Sequence, residues 1–187
     1  MKCSAFIATS VDGFIARKDG SVDWLHTAGN QDIEMGNQTD MGFYDYLKTV
    51  DCLIMGRKTM EVIANMKLTE DQWPYGNMPI VVLSSSLTET PESLAGKIRF
   101  FNGQLQDLLD QLEADGYHHA YIDGGTTIQQ FINEKLMNEM TIARVPVLLG
   151  EGIPLFGKPG IEVRLTDAET KAYPNDFVQV KYQLHYD

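Results

Sequence analysis

A chain of 187 residues is long enough for one domain spanning 1–187 with a substantial core, and 43% hydrophobic with 22% charged residues is an ordinary globular composition. Its 26 acidic against 15 basic residues leave a net charge of −11, which argues against nucleic acid or an anionic membrane as the main partner, because phosphate backbones need a basic footprint. Cys3 and Cys52 fit no metal or redox spacing, no apolar run approaches membrane-spanning length, and Asp12-Gly13 interrupts the apolar start too early for a secretory signal, so the cytoplasm is the expected compartment.

Lys2 to Thr9 reads as a buried first strand. A loop with two Asp-Gly turns follows and ends near Trp24, which makes it a candidate lid over a site. A helical pattern begins at Asp40 and stops before Asp51. Cys52 to Met55 has strand length and runs into Gly56-Arg57-Lys58-Thr59 and a helix carrying Met60, Ile63 and Ala64 on one face. Cations at a helix N-terminus oppose its dipole, so they hint at a bound anion; solvated surface charges are the alternative. Pro79 to Leu83 is a third buried strand with Ser84-Ser85-Ser86 at its end, either phosphate ligands or the start of a turn. Lys97 to Phe101 is a fourth strand, and Leu105, Leu108, Leu109 and Leu112 mark an amphipathic helix closed by Gly116. His118 to Ile122 is a fifth strand. Met140 to Leu149 is a sixth, in which Pro146 implies an edge or a bulge. Gly150 to Gly157 is a compact loop, and Ile161–Leu165 with Asp176–Tyr186 alternates like an antiparallel pair.

The stretch Tyr121-Ile122-Asp123-Gly124-Gly125-Thr126-Thr127 is strand, glycine turn and helix start. Free backbone N–H groups and the positive helix end favour an anion there, typically a phosphate; a plain connecting turn is the other reading. Strands alternating with helices predict an α/β fold whose mostly parallel sheet binds ligands beyond the carboxyl ends of its strands. The junctions after Met55, Leu83 and Ile122 all fall at that edge. Neither a P-loop nor a G-x-G-x-x-G fingerprint is present, and no His/Cys cluster has metal-ligand spacing.

These residues resemble the dihydrofolate reductase-like family. They are closest to its branch related to the C-terminal reductase domain of the bifunctional riboflavin-biosynthesis deaminase-reductase. The matching pieces are Ser10 to Ala16, Leu53 to Glu61, Tyr121 to Gly125, and Val145 to Phe156, in the family's order. The resemblance implies a three-layer α/β/α fold with antiparallel strands at the C-terminus, and NADPH as hydride donor. It implies that Gly56, Arg57 and Thr59 bind cofactor phosphates, with Arg57 and Ser84 or Ser85 near the 2′-phosphate. Gly124, Gly125, Thr126 and Thr127 would hold the pyrophosphate, and the backbones of Ala8 and Ile15 would meet the nicotinamide carboxamide. Asp40 matches the pocket carboxylate of folate reductases and Thr141 its hydroxyl partner. Asp is a favoured N-cap, so Asp40 has capping of the helix beginning at Met41 as its other reading; Asp23 is the competing carboxylate, and Trp24 is either pocket wall or core. The implied activity is that of a 5-amino-6-(5-phosphoribosylamino)uracil reductase. Dihydrofolate reduction and non-catalytic NADP(H) binding are the alternatives. Relatives of this branch form homodimers, so a homodimer is expected. The polar stretch between Trp24 and Asp40 departs from folate reductases, and the zinc ligands of a deaminase are missing.

Overall fold

Short apolar runs build one sheet, and the amphipathic stretches between them lie on its two faces. The computed structural model describes residues 1–86, 89–157 and 160–186. In chain order the elements are β1 (Lys2–Ser10), β2 (Phe14–Ala16), α1 (Trp24–Thr27), α2 (Phe43–Leu47), β3 (Cys52–Gly56), α3 (Arg57–Met66), β4 (Ile80–Leu83) and β5 (Ile98–Phe101). They continue with α4 (Leu105–Ala114), β6 (His119–Asp123), α5 (Gly125–Asn133), β7 (Glu139–Val145), β8 (Ile153–Pro154), β9 (Val163–Ala172) and β10 (Val178–Tyr186).

The eight-stranded sheet has the order β5-β4-β3-β6-β1-β7-β10-β9. Neighbours from β5 through β7 are parallel, and β10 runs antiparallel to both β7 and β9. Parallel strands covered on both faces need side chains apolar on both sides, and β3 is buried from Cys52 through Met55. Alternate residues then serve opposite layers. Cys3, Ala5, Ile54 and Ile122 pack under α4 and α5, whose Leu105, Leu108, Leu109, Leu112, Ile128, Phe131 and Ile132 are buried. Leu53, Met55, Ile80, Val82 and Tyr121 pack under α2 and α3 through Leu47, Met60 and Ile63. Each fully buried aliphatic side chain of this kind contributes about 1.5–3 kcal/mol.

Four expectations change. β7 lies inside the sheet, between β1 and β10, and stops at Val145, so Pro146 marks neither an edge nor a bulge but the strand's exit. Proline has no N–H for an interior ladder, and Val147 N–H instead turns back to Val145 O at 2.7 Å. The helix expected from Asp40 starts only at Phe43, because Met41 (φ 51°) and Gly42 (φ 83°) are left-handed. The loop Gly150–Gly157 carries β8, which pairs with β2 and lays a small second sheet beside the glycine turn after β6. Trp24 ends the expected lid loop fully buried among Val145, Tyr173 and Phe177, so that end of the loop is anchored in the core.

Candidate functional site

The ends of β4, β3 and β6 lie side by side, with Gly56 in register with Leu83 and Met55 in register with Asp123. From adjacent strands, α3 departs to one face and α5 to the other, which makes the gap between β3 and β6 a topological switch point. Glycines occupy both N-cap positions, Gly56 for α3 and Gly124 for α5, and neither helix has a side-chain cap. The first-turn N–H groups of each helix have no intrahelical partner, so two positive helix ends converge on one gap.

The two helices also reach across each other. A Cβ on Gly124 would stand 2.2 Å from Thr59 Oγ1, and one on Gly56 would stand 2.9 Å from Thr127 Oγ1. Gly124 has φ 92°, a backbone that L side chains rarely adopt. On the third side a Cβ on Gly125 would meet Ile15 Cδ1 at 2.6 Å. Gln129 of α5 ties the β8 loop to this corner by donating to Leu155 O at 2.8 Å. Glycine at these positions lets α3, α5 and β2 approach one another closely, which brings their backbones to one corner.

The residues expected at the site divide into two groups. Gly56, Thr59, Gly124, Gly125, Thr127 and Ile15 come together here, with Thr127 buried and Thr126 exposed beside it. Arg57 is exposed at the same junction, its Nη1 3.0 Å from Glu61 on the next turn. Ser84 and Ser85 follow β4 next door; Ser84 N–H donates to Phe101 O, and its Oγ accepts the Ser86 N–H at 3.3 Å. Ala8, on β1, packs against the Trp24 cluster. Trp24 Nε1 is buried with no hydrogen-bond partner among the described residues.

The remaining carboxylates and Thr141 lie elsewhere. Asp40 accepts Gly42 N–H at 3.2 Å and Tyr44 N–H at 2.8 Å, so both its oxygens serve the start of α2. Asp23 is exposed and held by Arg17 through two hydrogen bonds of 2.8 and 3.1 Å, and that guanidinium lowers its carboxyl. Thr141 opens into a recess between α2 and the β9–β10 hairpin. It is separated from β6 by β1, whose Phe6 packs on Phe43 and Tyr46 with ring centroids 5.4 and 5.3 Å apart.

One acid at the site was passed over as a proton source in the sequence. Asp123 ends β6, and its Oδ1 accepts the Gly124 N–H at 2.8 Å. Burial pushes its carboxyl up to about 6, against the opposing pull of the Gly124 N–H and the Tyr121 hydroxyl. It lies on the face of Tyr121, whose ring is packed by Phe43 and Tyr46 at 6.2 and 5.2 Å. Tyr75, from the α3–β4 connection, is raised well above the usual phenol range by burial and by the Asp123 charge. A partly accessible carboxyl raised to about 6, beside aromatic rings and a phosphate-sized cradle, suits a flat heterocycle with N–H or C=N edges. The signal in the sequence was an acid closing a buried strand directly before Gly-Gly. No His/Cys/Asp/Glu group with metal-binding geometry occurs among the described residues, and no described helix is long and apolar enough to cross a membrane.

The RibD C-terminal domain profile matches residues 2–179. The uncharacterized protein YwjB of Bacillus subtilis (strain 168) is 32% identical over 187 residues, covering 99% of this chain and 97% of that one. A crystal structure from Shewanella sp. PV-4, provisionally assigned to riboflavin biosynthesis, superposes with a TM-score of 0.87 at 38% identity over 99% of each chain. Dihydrofolate reductase from Enterococcus faecalis, solved with NADP(H) and RAB-propyl, has a TM-score of 0.62 at 14% identity, covering 100% of this chain and 96% of that one. The fold is therefore dihydrofolate reductase-like, and the chain belongs to the RibD C-terminal domain family, a family of reductase domains.

Proposed function

We propose that the protein is an NADPH-dependent reductase of a small planar heterocycle, related in chemistry to 5-amino-6-(5-phosphoribosylamino)uracil reductase. The observation that carries this reading is the pair of uncapped helix starts, α3 and α5, joined through Thr59 at Gly124 and Thr127 at Gly56. Backbone N–H groups of Gly125, Thr126 and Thr127 would hold the pyrophosphate, and Gly56 and Thr59 would close its other side. Arg57, with Ser84 or Ser85, would meet the 2′-phosphate; a guanidinium suits bidentate contact with a phosphate, and its exchange of Glu61 for that anion costs little because the ion pair is exposed. Ala8 and Ile15 would border the nicotinamide.

NADPH supplies the hydride when bound. The protein supplies the proton. Asp123, with its carboxyl at about 6, is protonated in about one molecule in ten at neutral pH, enough for a general acid to donate to a substrate nitrogen. The Trp24 indole N–H, buried and unpaired among the described residues, would orient a water or a substrate acceptor. Asp40 keeps its capping role in this scheme. A cytoplasmic homodimer completes the reading, favoured by the position of β9 at the outer edge of the sheet.

Titration with NADPH and NADH, followed by turnover with a ribosylaminopyrimidine and with dihydrofolate, tests it. Arg57→Ala should weaken NADPH by about tenfold or more and leave NADH nearly unchanged. Equal losses for both cofactors would overturn the 2′-phosphate assignment. Tight NADPH binding with no oxidation across a panel of reducible heterocycles would point to the non-catalytic alternative.

A further inference from the structure

A recess of about 510 Å³ lies between α2 and the β9–β10 hairpin, lined by neither Asp123 nor the glycine junctions. Its volume falls in the range of small-molecule sites. Phe6 and Tyr46 form one wall, and the opposite wall is the sheet face carrying Thr141, Gln179, Lys181 and Lys171. Thr141 is 7% exposed, and its hydroxyl has no hydrogen-bond partner among the described residues. The Thr141 hydroxyl opens into the recess, where it is available to a ligand atom or a water.

Charge sets the sign of that ligand. Glu139 Oε2 accepts from Gln183 at 2.8 Å and from the Lys2 and Lys181 ammoniums at 3.2 and 3.3 Å. Burial raises the Glu139 carboxyl, but Gln183 and the two ammoniums outweigh it and hold the group below the ordinary range, so it stays ionised. Two lysines therefore share one carboxylate oxygen and retain unused protons. At the mouth, Lys171 stands 4.5 Å over the Tyr173 ring and Glu169 faces Lys181 from β9, while Asp45 is engaged by Lys48 at 2.7 Å. Three ammoniums against Glu139 and Glu169 leave a positive balance next to an aromatic wall.

We propose that this recess is a second ligand site, separate from the gap between β3 and β6, taking a small aromatic carboxylate whose ring lies on Phe6 and Tyr46 and whose carboxylate is held by Thr141 and Lys181. Neither the glycine junctions nor Asp123 contributes to it, so it stands whether or not the reductase reading does.

Benzoate is the probe, followed by amide chemical shifts in the full-length ¹⁵N-labelled protein, with and without NADPH. Saturable shifts at Tyr46, Thr141 and Lys181, with Gly56, Gly124 and Gly125 unmoved, are expected. Thr141→Val, which keeps the side-chain shape, and Lys181→Met should each weaken benzoate by about tenfold, the loss of one charge-assisted hydrogen bond. Benzyl alcohol, uncharged but equally aromatic, should produce no comparable shifts. Benzoate shifts centred on Gly124 and Gly125, no shifts at all, or full affinity in both variants would overturn the site. The same shifts with inorganic phosphate would overturn its aromatic selectivity. Shifts at these residues that depend only on protein concentration would assign the recess to a second copy of the chain and overturn the proposal.

Discussion

Replacing Gly124 with alanine tests whether the starts of α3 and α5 form one cradle. Gly124 has φ 92° and ψ 133°, and holding a residue with a Cβ in such a sparsely populated region costs about 1–3 kcal/mol. The new methyl group would also stand 2.2 Å from Thr59 Oγ1, and overpacking of this kind costs about 1–3 kcal/mol more. The sum, about 2–6 kcal/mol, is a large share of the roughly 5–15 kcal/mol that holds a domain folded. Thr59→Ala removes Oγ1 and leaves Thr59 Cβ, 3.4 Å from the new methyl, as an ordinary contact. The double variant should therefore recover the steric share and keep the backbone share. Urea unfolding of both single variants and the double variant reads a favourable coupling of about 1–3 kcal/mol. In the same samples, NADPH titration should show Gly124→Ala binding at least about tenfold more weakly, because making room for the methyl group displaces Thr59 and the start of α5 from each other. Additive stability changes would separate Gly124 from Thr59. Unchanged NADPH affinity in folded Gly124→Ala would remove the pyrophosphate from this gap.

Asp123 yields two linked outcomes. Turnover should fall as pH rises through about 6, where Asp123 loses its proton, and Asp123→Asn should be slow with a flat profile over that range; a parent profile without that limb would retire it as the acid. Its folded pKa lies above the unfolded value of about 3.9, so the native state binds the proton more tightly, and the parent should lose up to about 3 kcal/mol of stability between pH 4 and 6. Melts of Asp123→Asn should lack that loss, and parallel curves for the two proteins would contradict the burial argument. Trp24→Phe deletes a buried donor with no partner, so lost apolar contact and relief of the unpaired N–H, about 1–3 kcal/mol, act in opposite directions. Thermal melts should change little while turnover drops; a large destabilisation with normal turnover would leave Trp24 as packing alone.

Much of the architecture could be read from local pattern. Leucines at helical spacing in α4, continuous apolar runs in β3 and β4, and glycines after β3 and β6 report on sterics and burial within a few residues, and each became the expected element. The alignment of the three junctions was legible for the same reason: parallel strands put all their carboxyl ends at one edge. Capping by Asp40 was one of two readings the sequence offered; the surroundings of Thr141 and Asp123 were not legible, because they depend on contacts between elements distant in sequence. Left-handed Met41 and Gly42 start α2 late and turn Asp40 into its cap, while Phe6, Phe43 and Tyr46 stand between Thr141 and the Tyr121 face. Asp123 keeps its proton to about 6 because packing against the sheet removes water from it, an effect that appears only when the chain is folded. Sequence alone therefore determined where backbone N–H groups would be free; tertiary packing decided which carboxyl sits beside them, because desolvation and hydrogen bonding act through space rather than along the chain.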